Sequence, residues 1–291
     1  MPTKNKHPVA QYYDANTRRF LVVGGSRGAV AIHRELWGPG IETSEAAAAH
    51  VNDLVAQASV AALARQPDMV SDLGCGVGGT MFHLARLWPA ARLMGYTLSE
   101  TQARIGLSLS AKRGLNERCQ FMVEDFTNLA SPMPVDLAIA IESHTHTRSL
   151  LAFLVAAKRH LKPGGVLVMV DDVLAKPFAD LPHSEQALVE TFKSGWRLAH
   201  MPSATEIIEQ AQSMGMTLVS QHDLSPLLRI DRLRDHALRV VAPMADKLGL
   251  GRLALFANMI GGNALTQSHR QGIMRYMMIV LQAPRPTGNV A

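Results

Sequence analysis

A carboxylate and two histidines follow an apolar run in the stretch AIAIESHTHT; they are Glu142, His144 and His146. A carboxylate beside a reacting centre stabilises positive charge and accepts a proton, and a histidine can serve as a general base. A metal site is disfavoured, because three side chains spaced by two residues do not converge reliably and no second metal motif accompanies them. The stretch therefore predicts acid–base chemistry. The alternatives are two ordinary loop histidines, and a Glu142 that caps a loop or pairs with an arginine such as Arg148.

A second stretch, DLGCGVGG, places an acid before four glycines. Asp72 ends a short apolar run, and Gly74, Gly76, Gly78 and Gly79 follow before a helical pattern begins. Glycine permits a positive φ and lets a ligand approach the main chain where a Cβ would collide. A dinucleotide fingerprint would read G-x-G-x-x-G, whereas this turn reads G-C-G-V-G-G. The spacing predicts a ligand-binding turn between a strand and a helix, with a plain glycine-rich turn as the alternative.

Two motifs resemble those of a known family. The acid two residues before the first glycine of DLGCGVGG is similar to the first motif of class I S-adenosylmethionine-dependent methyltransferases. The pattern G-x-T-L-S-x-x-Q in MGYTLSETQ resembles one branch of them, which contains the cyclopropane fatty acid and mycolic acid cyclopropane synthases and the prenyl diphosphate and sterol-type C-methyltransferases. Other methyltransferases and nicotinamide enzymes end this strand in an acid that grips the ribose. The resemblance covers about residues 69–173.

This resemblance implies S-adenosyl-L-methionine as the cofactor. It implies that Thr97 and Gln102 replace the missing acid as partners of the ribose. It also implies that Asp125 accepts from the adenine amino group, with Phe126 beside the ring and Glu124 as the alternative acid. The full set of cofactor-lining residues implied in this way is Asp72, Gly74, Cys75, Gly76, Thr97, Leu98, Gln102, Asp125, Phe126 and Ile141.

The resemblance also gives Glu142 a role. In this branch a Glu at the tip of the fourth strand helps to deprotonate a cationic intermediate, directly or through a bound bicarbonate, and Glu142 matches it. The Pro-Pro-Tyr type of motif of base-methylating enzymes is missing there, so a nucleic acid base is not the expected acceptor. The implied reaction is C-methylation of an isoprenoid, such as a prenyl diphosphate, or of a lipid-like alkene. The alternatives are an O- or N-methyltransferase that uses His144 or His146, and a non-catalytic cofactor-binding protein.

The elements that must position these residues alternate from about Met69 onward. Short apolar runs such as DMVSDLG, VDLAIAIES and VLVMVDDV alternate with amphipathic helical patterns, and RYMMIVLQAP closes the chain as a last strand. Buried strands that alternate with helices imply a parallel sheet covered on both faces. The predicted fold class is therefore α/β, a doubly wound and mostly parallel sheet of the Rossmann-like type.

Two regions interrupt this alternation. Residues 1–67 are predicted to form an N-terminal helical cap, with an Ala-rich helix that starts near Ser44 and is capped by Thr43 or Ser44. Residues 68–291 are predicted to form the cofactor-binding domain, which includes a helical insert at about 226–272 before the last strand. Such additions usually cover a site, although either could be bulk packing.

Aromatic residues of these regions are candidates for a substrate wall, because aromatic faces attract the cations expected in such a reaction. The candidates are Tyr12, Tyr13, Trp37, Trp196 and Tyr276, of which Tyr12 and Tyr13 are favoured to close over the cofactor. Arginines could clamp a diphosphate, although solvated helix faces explain most of them. Those arginines are Arg18, Arg19, Arg27 and Arg34 near the N-terminus and Arg229, Arg232, Arg234 and Arg239 in the insert.

Composition narrows the class of partner. The formal net charge is +5 and basic residues occur singly or in pairs, which does not favour a nucleic acid partner. Two cysteines, no apolar leader and no apolar run of spanning length predict a reduced, cytoplasmic protein without stable membrane insertion. The expected partner is a small-molecule acceptor. A homo-oligomer is left open, and no bound metal is expected.

Overall fold

The computed structural model describes residues 33–230 and 254–285, together with Ala10, Asp14 and Thr17. Seven strands in this part of the chain form one sheet. They are β1 (Met69–Leu73), β2 (Arg92–Thr97), β3 (Cys119–Val123), β4 (Val135–Ile141), β5 (Leu161–Leu174), β6 (Thr217–Asp223) and β7 (Met274–Gln282). The spatial order is β3-β2-β1-β4-β5-β7-β6.

The strand directions confirm the predicted mostly parallel sheet. Strands β1 to β5 pair in parallel, whereas β7 runs antiparallel between β5 and β6. The first three strands step outward from β1 and the chain then returns to place β4 on the other side of β1. Ligands of open α/β sheets bind outside the carboxyl ends of the strands where the order reverses in this way. The fold therefore places a candidate crevice at the ends of β1 and β4.

Helices of the described residues cover both faces of the sheet. They are α1 (Ser44–Leu63), α2 (Gly79–Leu87), α3 (Glu100–Lys112), α4 (Leu150–His160), α5 (His183–Trp196), α6 (Ala204–Ser213) and α7 (Ala254–Arg270). Thr43 is the N-cap of α1, because its hydroxyl accepts from the backbone N–H of Ala46. Helix α5 was not predicted from the sequence.

Each face of the sheet has its own core. On one face, Val51 and Val55 of α1 pack with Val168 of β5 and Val280 of β7. On the other, Phe153 and Leu154 of α4 pack with alanines of β4, and α6 adds Ile207. The helix of the predicted cap thus shares a core with the sheet. The boundary at residue 67 stays a prediction.

Helices α5 and α7 pack closely through two glycines. A Cβ at Gly195 would lie 2.6 Å from the carbonyl oxygen of Ala257, and one at Gly261 would lie 2.8 Å from a ring carbon of Trp196. Only glycine allows this approach of the two backbones. The second half of the predicted insert, as far as it is described, is therefore a helix that packs against α5 and leads into β7. Among the described residues, no helix is both long enough and apolar enough to cross a bilayer.

Candidate active site

The turn after β1 meets the turn after β4 at the reversal of strand order. Gly74 has φ +113, and a Cβ there would lie 2.4 Å from the Cβ of Ser143. Ser143 in turn donates its hydroxyl to the carbonyl of Leu73 at 2.6 Å. Position 74 therefore needs glycine for two reasons, its backbone conformation and the contact with Ser143. The predicted ligand-binding turn and the predicted acid–base stretch lie side by side.

The glycine turn is anchored to β2. The backbone N–H groups of Gly74 and Cys75 both donate to the carbonyl of Tyr96, at 3.1 and 2.9 Å. Gly76 and Gly78 follow with φ values of +55 and +89, so the turn needs backbone conformations that side chains disfavour. Cys75 is itself buried. The turn is thus anchored to β2 by two backbone hydrogen bonds.

Asp72 at the end of β1 is a buried acid whose carboxylate accepts no hydrogen bond from the described residues. It is 4% exposed, and desolvation raises the pKa of this carboxyl to about 7. A buried carboxylate with no donor is costly unless a ligand supplies one. The amino group of an amino acid moiety is such a donor, so Asp72 fits the amino acid end of the cofactor that the resemblance implies.

The tip of β2 brings Thr97 and Gln102 together. The Thr97 hydroxyl donates to Oε1 of Gln102 at 2.6 Å and accepts from the N–H of Ser99 at 3.1 Å. Ser99 caps α3 by accepting from the N–H of Gln102. Asp14 of the N-terminal region accepts from the Ser99 hydroxyl and from the N–H of Thr101. The pair predicted to bind ribose is therefore preorganised, and an N-terminal residue lies against it. Their ribose contacts, and that of the half-buried Leu98, stay predictions.

The tip of β3 holds its predicted acid in local contacts. Asp125 caps a short 3-10 turn at Phe126–Asn128 and accepts from both the N–H and the hydroxyl of Thr127. Its second oxygen accepts from the side-chain amide of Asn128 at 2.8 Å. Phe126 packs edge-on against Phe153 with ring centroids 6.2 Å apart. Asp125 therefore has a structural task, and its contact with adenine stays a prediction, as does that of the exposed Glu124.

Glu142 stands just beyond β4, after Ile141, in a left-handed conformation with φ +50. Its Oε1 accepts from the hydroxyl of Tyr276 and from the backbone N–H of Arg34, both at 2.8 Å. Its Oε2 has no donor among the described residues. Burial raises the pKa of this carboxyl to about 7, against the opposing effect of Arg34. Oε1 is thus held in place, and Oε2 is left to accept a proton. The sequence suggested Arg148 as a partner of Glu142, whereas the structure shows Tyr276 and Arg34.

The side chain of Arg34 lies behind this carboxylate and is already paired. Its Nη2 donates to Oδ2 of Asp172 at 2.7 Å, and its guanidinium carbon lies 5.4 Å from the centre of the Tyr276 ring. Nε2 of His269 lies 2.7 Å from Oδ1 of the same aspartate. Arg34 was one candidate for a diphosphate clamp. The structure pairs Arg34 with Asp172, and a contact of Arg34 with a diphosphate stays a prediction.

The two predicted histidines lie beyond Glu142 in a 3-10 turn at His144–His146. Nδ1 of His144 lies 2.7 Å from Oδ2 of Asp171, which orients the ring. Nε2 of His144 is buried and has no hydrogen-bond partner in the described part of the chain. Burial lowers the pKa of His146, with Asp171 opposing. Asp171 and Asp172 are neighbours in β5 and point to opposite faces of the sheet, so His144 and Arg34 lie on opposite sides.

The predicted substrate wall divides into three cases. Tyr276 is fully buried and holds Glu142 with its hydroxyl. Trp37 lies under the guanidinium of Arg229, 3.5 Å from the ring centre, and Trp196 packs on Phe192 of its own helix. Tyr12 and Tyr13 lie outside the described residues. A substrate contact of Trp37, Trp196 or Tyr276 stays a prediction. In the part of the chain that the structure covers, no three acid, histidine or cysteine side chains are grouped to hold a metal.

With this geometry in place, comparison with known proteins decides the class. Residues 70–165 match a family described as Methyltransferase domain. This part of the chain is a methyltransferase domain. This match confirms the assignment to class I methyltransferases that the two motifs predicted.

The methyltransferase domain is similar to that of a sterol enzyme. The 24-methylenesterol C-methyltransferase 2 of Oryza sativa subsp. japonica is 28% identical over 197 residues, which cover 67% of this chain and 50% of that protein. The chain spans about half the length of the curated relatives it matches.

Solved structures confirm the fold of the methyltransferase domain. Geranyl diphosphate C-methyltransferase from Streptomyces coelicolor A3(2), solved with Mg²⁺, geranyl diphosphate and S-adenosyl-L-homocysteine, superposes with a TM-score of 0.68 at 18% identity, over 96% of this chain and 98% of that one. The [4+2]-cyclase SpnF superposes with a TM-score of 0.71 at 23% identity, over 98% of both chains. A shared fold does not fix the reaction, which depends on the residues of the site.

Three functional candidates were missed by the sequence analysis, namely Asp171, Asp172 and His269. Two acids at the carboxyl end of an otherwise apolar strand, VLVMVDDV, were the available signal for the aspartates. His269 gave a weaker one, since a single histidine at the end of a helix is common on solvated surfaces. Its partner is 97 residues away in sequence. Only the fold brings the two together.

Proposed function

We propose that the protein is an S-adenosylmethionine-dependent C-methyltransferase that acts on a small isoprenoid or lipid-like alkene. The observation that carries the proposal is the carboxylate of Glu142. It lies at the tip of β4 beside the glycine turn, with Oε1 held by two donors and Oε2 left without one. The name of the sterol C-methyltransferase relative and that of the geranyl diphosphate C-methyltransferase neighbour agree with an alkene acceptor.

The residues at the ends of β1 and β2 fit S-adenosylmethionine. Asp72 offers a buried carboxylate to an amino group, and the turn at Gly74 and Gly76 leaves the main chain open to a ligand. The amide nitrogen of Gln102 has no acceptor among the described residues, so it is available to a ribose hydroxyl. Phe126 would lie beside the adenine. When bound, the cofactor would supply an electrophilic methyl group and leave a cation on the alkene acceptor.

Glu142 would then act in two ways. Its negative charge stabilises the cation beside it, and Oε2 takes the proton from the carbon next to the cationic centre, whose C–H electrons form the new double bond. A pKa of about 7 suits this role, because a base near neutrality is both deprotonated and able to hold the proton. Tyr276 and Arg34 keep the carboxylate in place by holding Oε1.

The test of this reaction is the structure of the product. The purified protein is incubated with S-adenosylmethionine and a panel of prenyl diphosphates, sterol-like lipids and aromatic natural products. Mass spectrometry then finds a product heavier by one methylene unit, and NMR locates the new methyl on carbon. Deuterium at the carbon that loses its proton should be released into water. A methyl on oxygen or nitrogen would contradict the proposal.

Cofactor binding has its own test. Gly76→Val should abolish binding of S-adenosylhomocysteine by calorimetry, because a branched side chain would stand where the ligand passes. Gly215→Val is the matched control, since Gly215 also has a positive φ, +79, but has open space around its Cβ position and lies far from the turn. Gly215→Val should keep the affinity for S-adenosylhomocysteine, and its loss of stability should show the cost of backbone strain. Equal loss in both variants would mean that misfolding, not ligand exclusion, explains the result.

A second candidate function rests on His144. Its Nδ1 is oriented by Asp171 and its Nε2 is unpartnered, which is the arrangement of a general base backed by a carboxylate. Such a base would serve an O- or N-methyltransferase. Loss of turnover in His144→Asn with normal turnover in Glu142→Gln would select this second function.

A further inference from the structure

Glu142 is linked through Arg34 to Asp172 and His269, neither of which contacts its carboxylate. We propose that Asp172 and His269 are positioning residues that act through Arg34: they hold the backbone N–H of Arg34 against Oε1 of Glu142 and so fix which carboxylate oxygen is left for the proton. We call Arg34, Asp172 and His269 the clamp. This inference rests on the proposed role of Glu142 as the base.

The clamp and Glu142 come from four segments that are distant in sequence. Arg34 precedes α1, Asp172 lies in β5, His269 is near the end of α7, and Glu142 follows β4. The contact of Arg34 N–H with Glu142 spans 108 residues of sequence, and that of its guanidinium with Asp172 spans 138. Arg34 therefore contacts the base, Glu142, with its main chain and contacts Asp172 with its side chain.

Both carboxylate oxygens of Asp172 have a partner. Oδ2 of Asp172 accepts from Arg34 at 2.7 Å, and Oδ1 lies 2.7 Å from Nε2 of His269, whose side chain is only 2% exposed. Nη1 of Arg34 also lies 3.4 Å from the same histidine nitrogen. With both oxygens engaged, the Asp172 carboxylate has one orientation, and the guanidinium that it holds cannot swing away without breaking a charged hydrogen bond.

The charged groups around Glu142 explain why Arg34 has to be held beside it. Burial is the largest cause of the raised pKa of Glu142, and two nearby carboxylates, Asp172 and Asp171, act to raise it further. Arg34 opposes them with its charge and with its N–H, and Tyr276 adds a second donor. Without Arg34 in place, Glu142 would face two carboxylates with one donor. A clamp that holds Arg34 therefore sets both the position and the proton affinity of the base.

Two neighbouring substitutions separate positioning from simple charge. Asp171→Asn removes a nearby negative charge without touching Arg34, so the pKa of Glu142 should fall. Asp172→Asn also removes a negative charge, but it releases Arg34, so the pKa of Glu142 should rise by about one unit. Infrared difference spectra follow the protonated carboxyl of Glu142 with pH, and Glu142→Gln identifies the band. A fall or no change in Asp172→Asn would overturn the proposal.

A pair of variants at position 269 tests the same clamp if Asp172→Asn fails to fold. His269→Leu removes the donor to Asp172 and should raise the pKa of Glu142, whereas His269→Gln keeps a donor and should restore much of the wild-type value. Circular dichroism and melting curves check that both are folded. Equal pKa values of Glu142 in these two variants would overturn the role of His269.

Turnover separates the clamp from the proposed function. With an active acceptor, the acid limb of the pH profile should move in the same direction as the infrared pKa in each variant, and KM should change less than kcat. If Glu142→Gln turns over normally, the proposed function fails, while the infrared shifts still measure the clamp. If the shifts appear and the pH profile of turnover does not follow them, the clamp does not position the base.

Discussion

The hydroxyl of Tyr276 donates to Oε1 of Glu142 at 2.8 Å and ties the last strand of the sheet to the turn after β4. The two residues are 134 positions apart, and both lie where the strand order places a ligand crevice. Since Tyr276 is fully buried, its hydroxyl cannot exchange Glu142 for water at low cost. A substitution of Tyr276 should therefore change the hydrogen bonding of Glu142, and a substitution of Glu142 should change that of Tyr276.

Glu142→Gln should lower turnover by roughly 10²–10⁴, which is the usual contribution of a positioned proton acceptor. The amide keeps the shape and an oxygen that accepts from Tyr276 and Arg34, so cofactor affinity should survive. Turnover, the dissociation constant of S-adenosylhomocysteine and the melting temperature are measured on the same preparation. A fully active and normally stable variant would move the role of base to His144 or His146.

Tyr276→Phe should raise the pKa of Glu142, because it removes a hydrogen bond to the charged form. The acid limb of the pH profile should move to higher pH, and turnover at neutral pH should fall. Tyr96→Phe is the control for stability, since Tyr96 is also buried and its hydroxyl donates to the sulfur of Met94 at 3.1 Å, its one hydrogen bond among the described residues. An unchanged pH profile in Tyr276→Phe would show that Arg34 alone holds the carboxylate.

Asp72→Asn should have opposite effects on stability and on binding. The pKa of Asp72 is raised to about 7 in the folded protein, so its charge costs stability once the pH exceeds the unfolded value of 3.8. Cofactor-free Asp72→Asn should therefore melt higher than wild type at pH 8, and the difference should vanish as the pH falls toward about 4. Calorimetry at pH 8 should show weaker binding of S-adenosylhomocysteine. Tighter binding would contradict the assignment of Asp72 to the amino group.

For the wild type, cofactor affinity should fall as the pH drops through about 7, because protonation of Asp72 removes the charge that attracts an ammonium group. Calorimetric titrations between pH 6 and pH 8.5 test this expectation. The Asp72→Asn variant should lack most of this dependence. A pH dependence that persists unchanged in the variant would assign it to another group.

Gly74→Ala should lower the melting temperature and the cofactor affinity together. The added Cβ would meet the Cβ of Ser143 at 2.4 Å, and it would also carry the strain of φ +113. Gly215→Ala is the control for strain alone, since nothing lies within 4 Å of its Cβ position, and should cost about 1–2 kcal/mol. Adding Ser143→Gly to Gly74→Ala should recover part of the loss. No recovery would mean that the conformation, not the contact, requires glycine.

Local motifs explain what the sequence made predictable. The turn at Asp72 and Gly74, the place of Thr97 and Gln102 at the end of β2 and the place of Glu142 after an apolar strand all depend on residues a few positions apart. The mostly parallel sheet followed from the alternation of strands and helices. These features depend on short-range spacing, which a single sequence displays directly.

Contacts that depend on the register of distant strands could not be predicted from the sequence. Asp172 lies opposite Tyr276 because β5 and β7 pair antiparallel, and Arg34 contacts both residues. A shift of this register by one residue would exchange the roles of Asp171 and Asp172, since alternate side chains of a strand point to opposite faces. Tyr276 was predicted as an aromatic wall from its ring. Its hydroxyl donates to Glu142, which is 134 positions away, so local spacing could not predict this hydrogen bond.

The left-handed backbone of Glu142 has a consequence for the directed evolution of this protein. A hydrogen bond from its N–H to the carbonyl of Val170 at 2.8 Å holds the residue at φ +50, a conformation that glycine and asparagine adopt more readily than glutamate. In a library selected for heat resistance alone, we expect asparagine to accumulate at position 142, because it adopts this conformation and keeps a side-chain acceptor oxygen. A library selected for turnover should retain glutamate there, so the two selections should diverge first at this position.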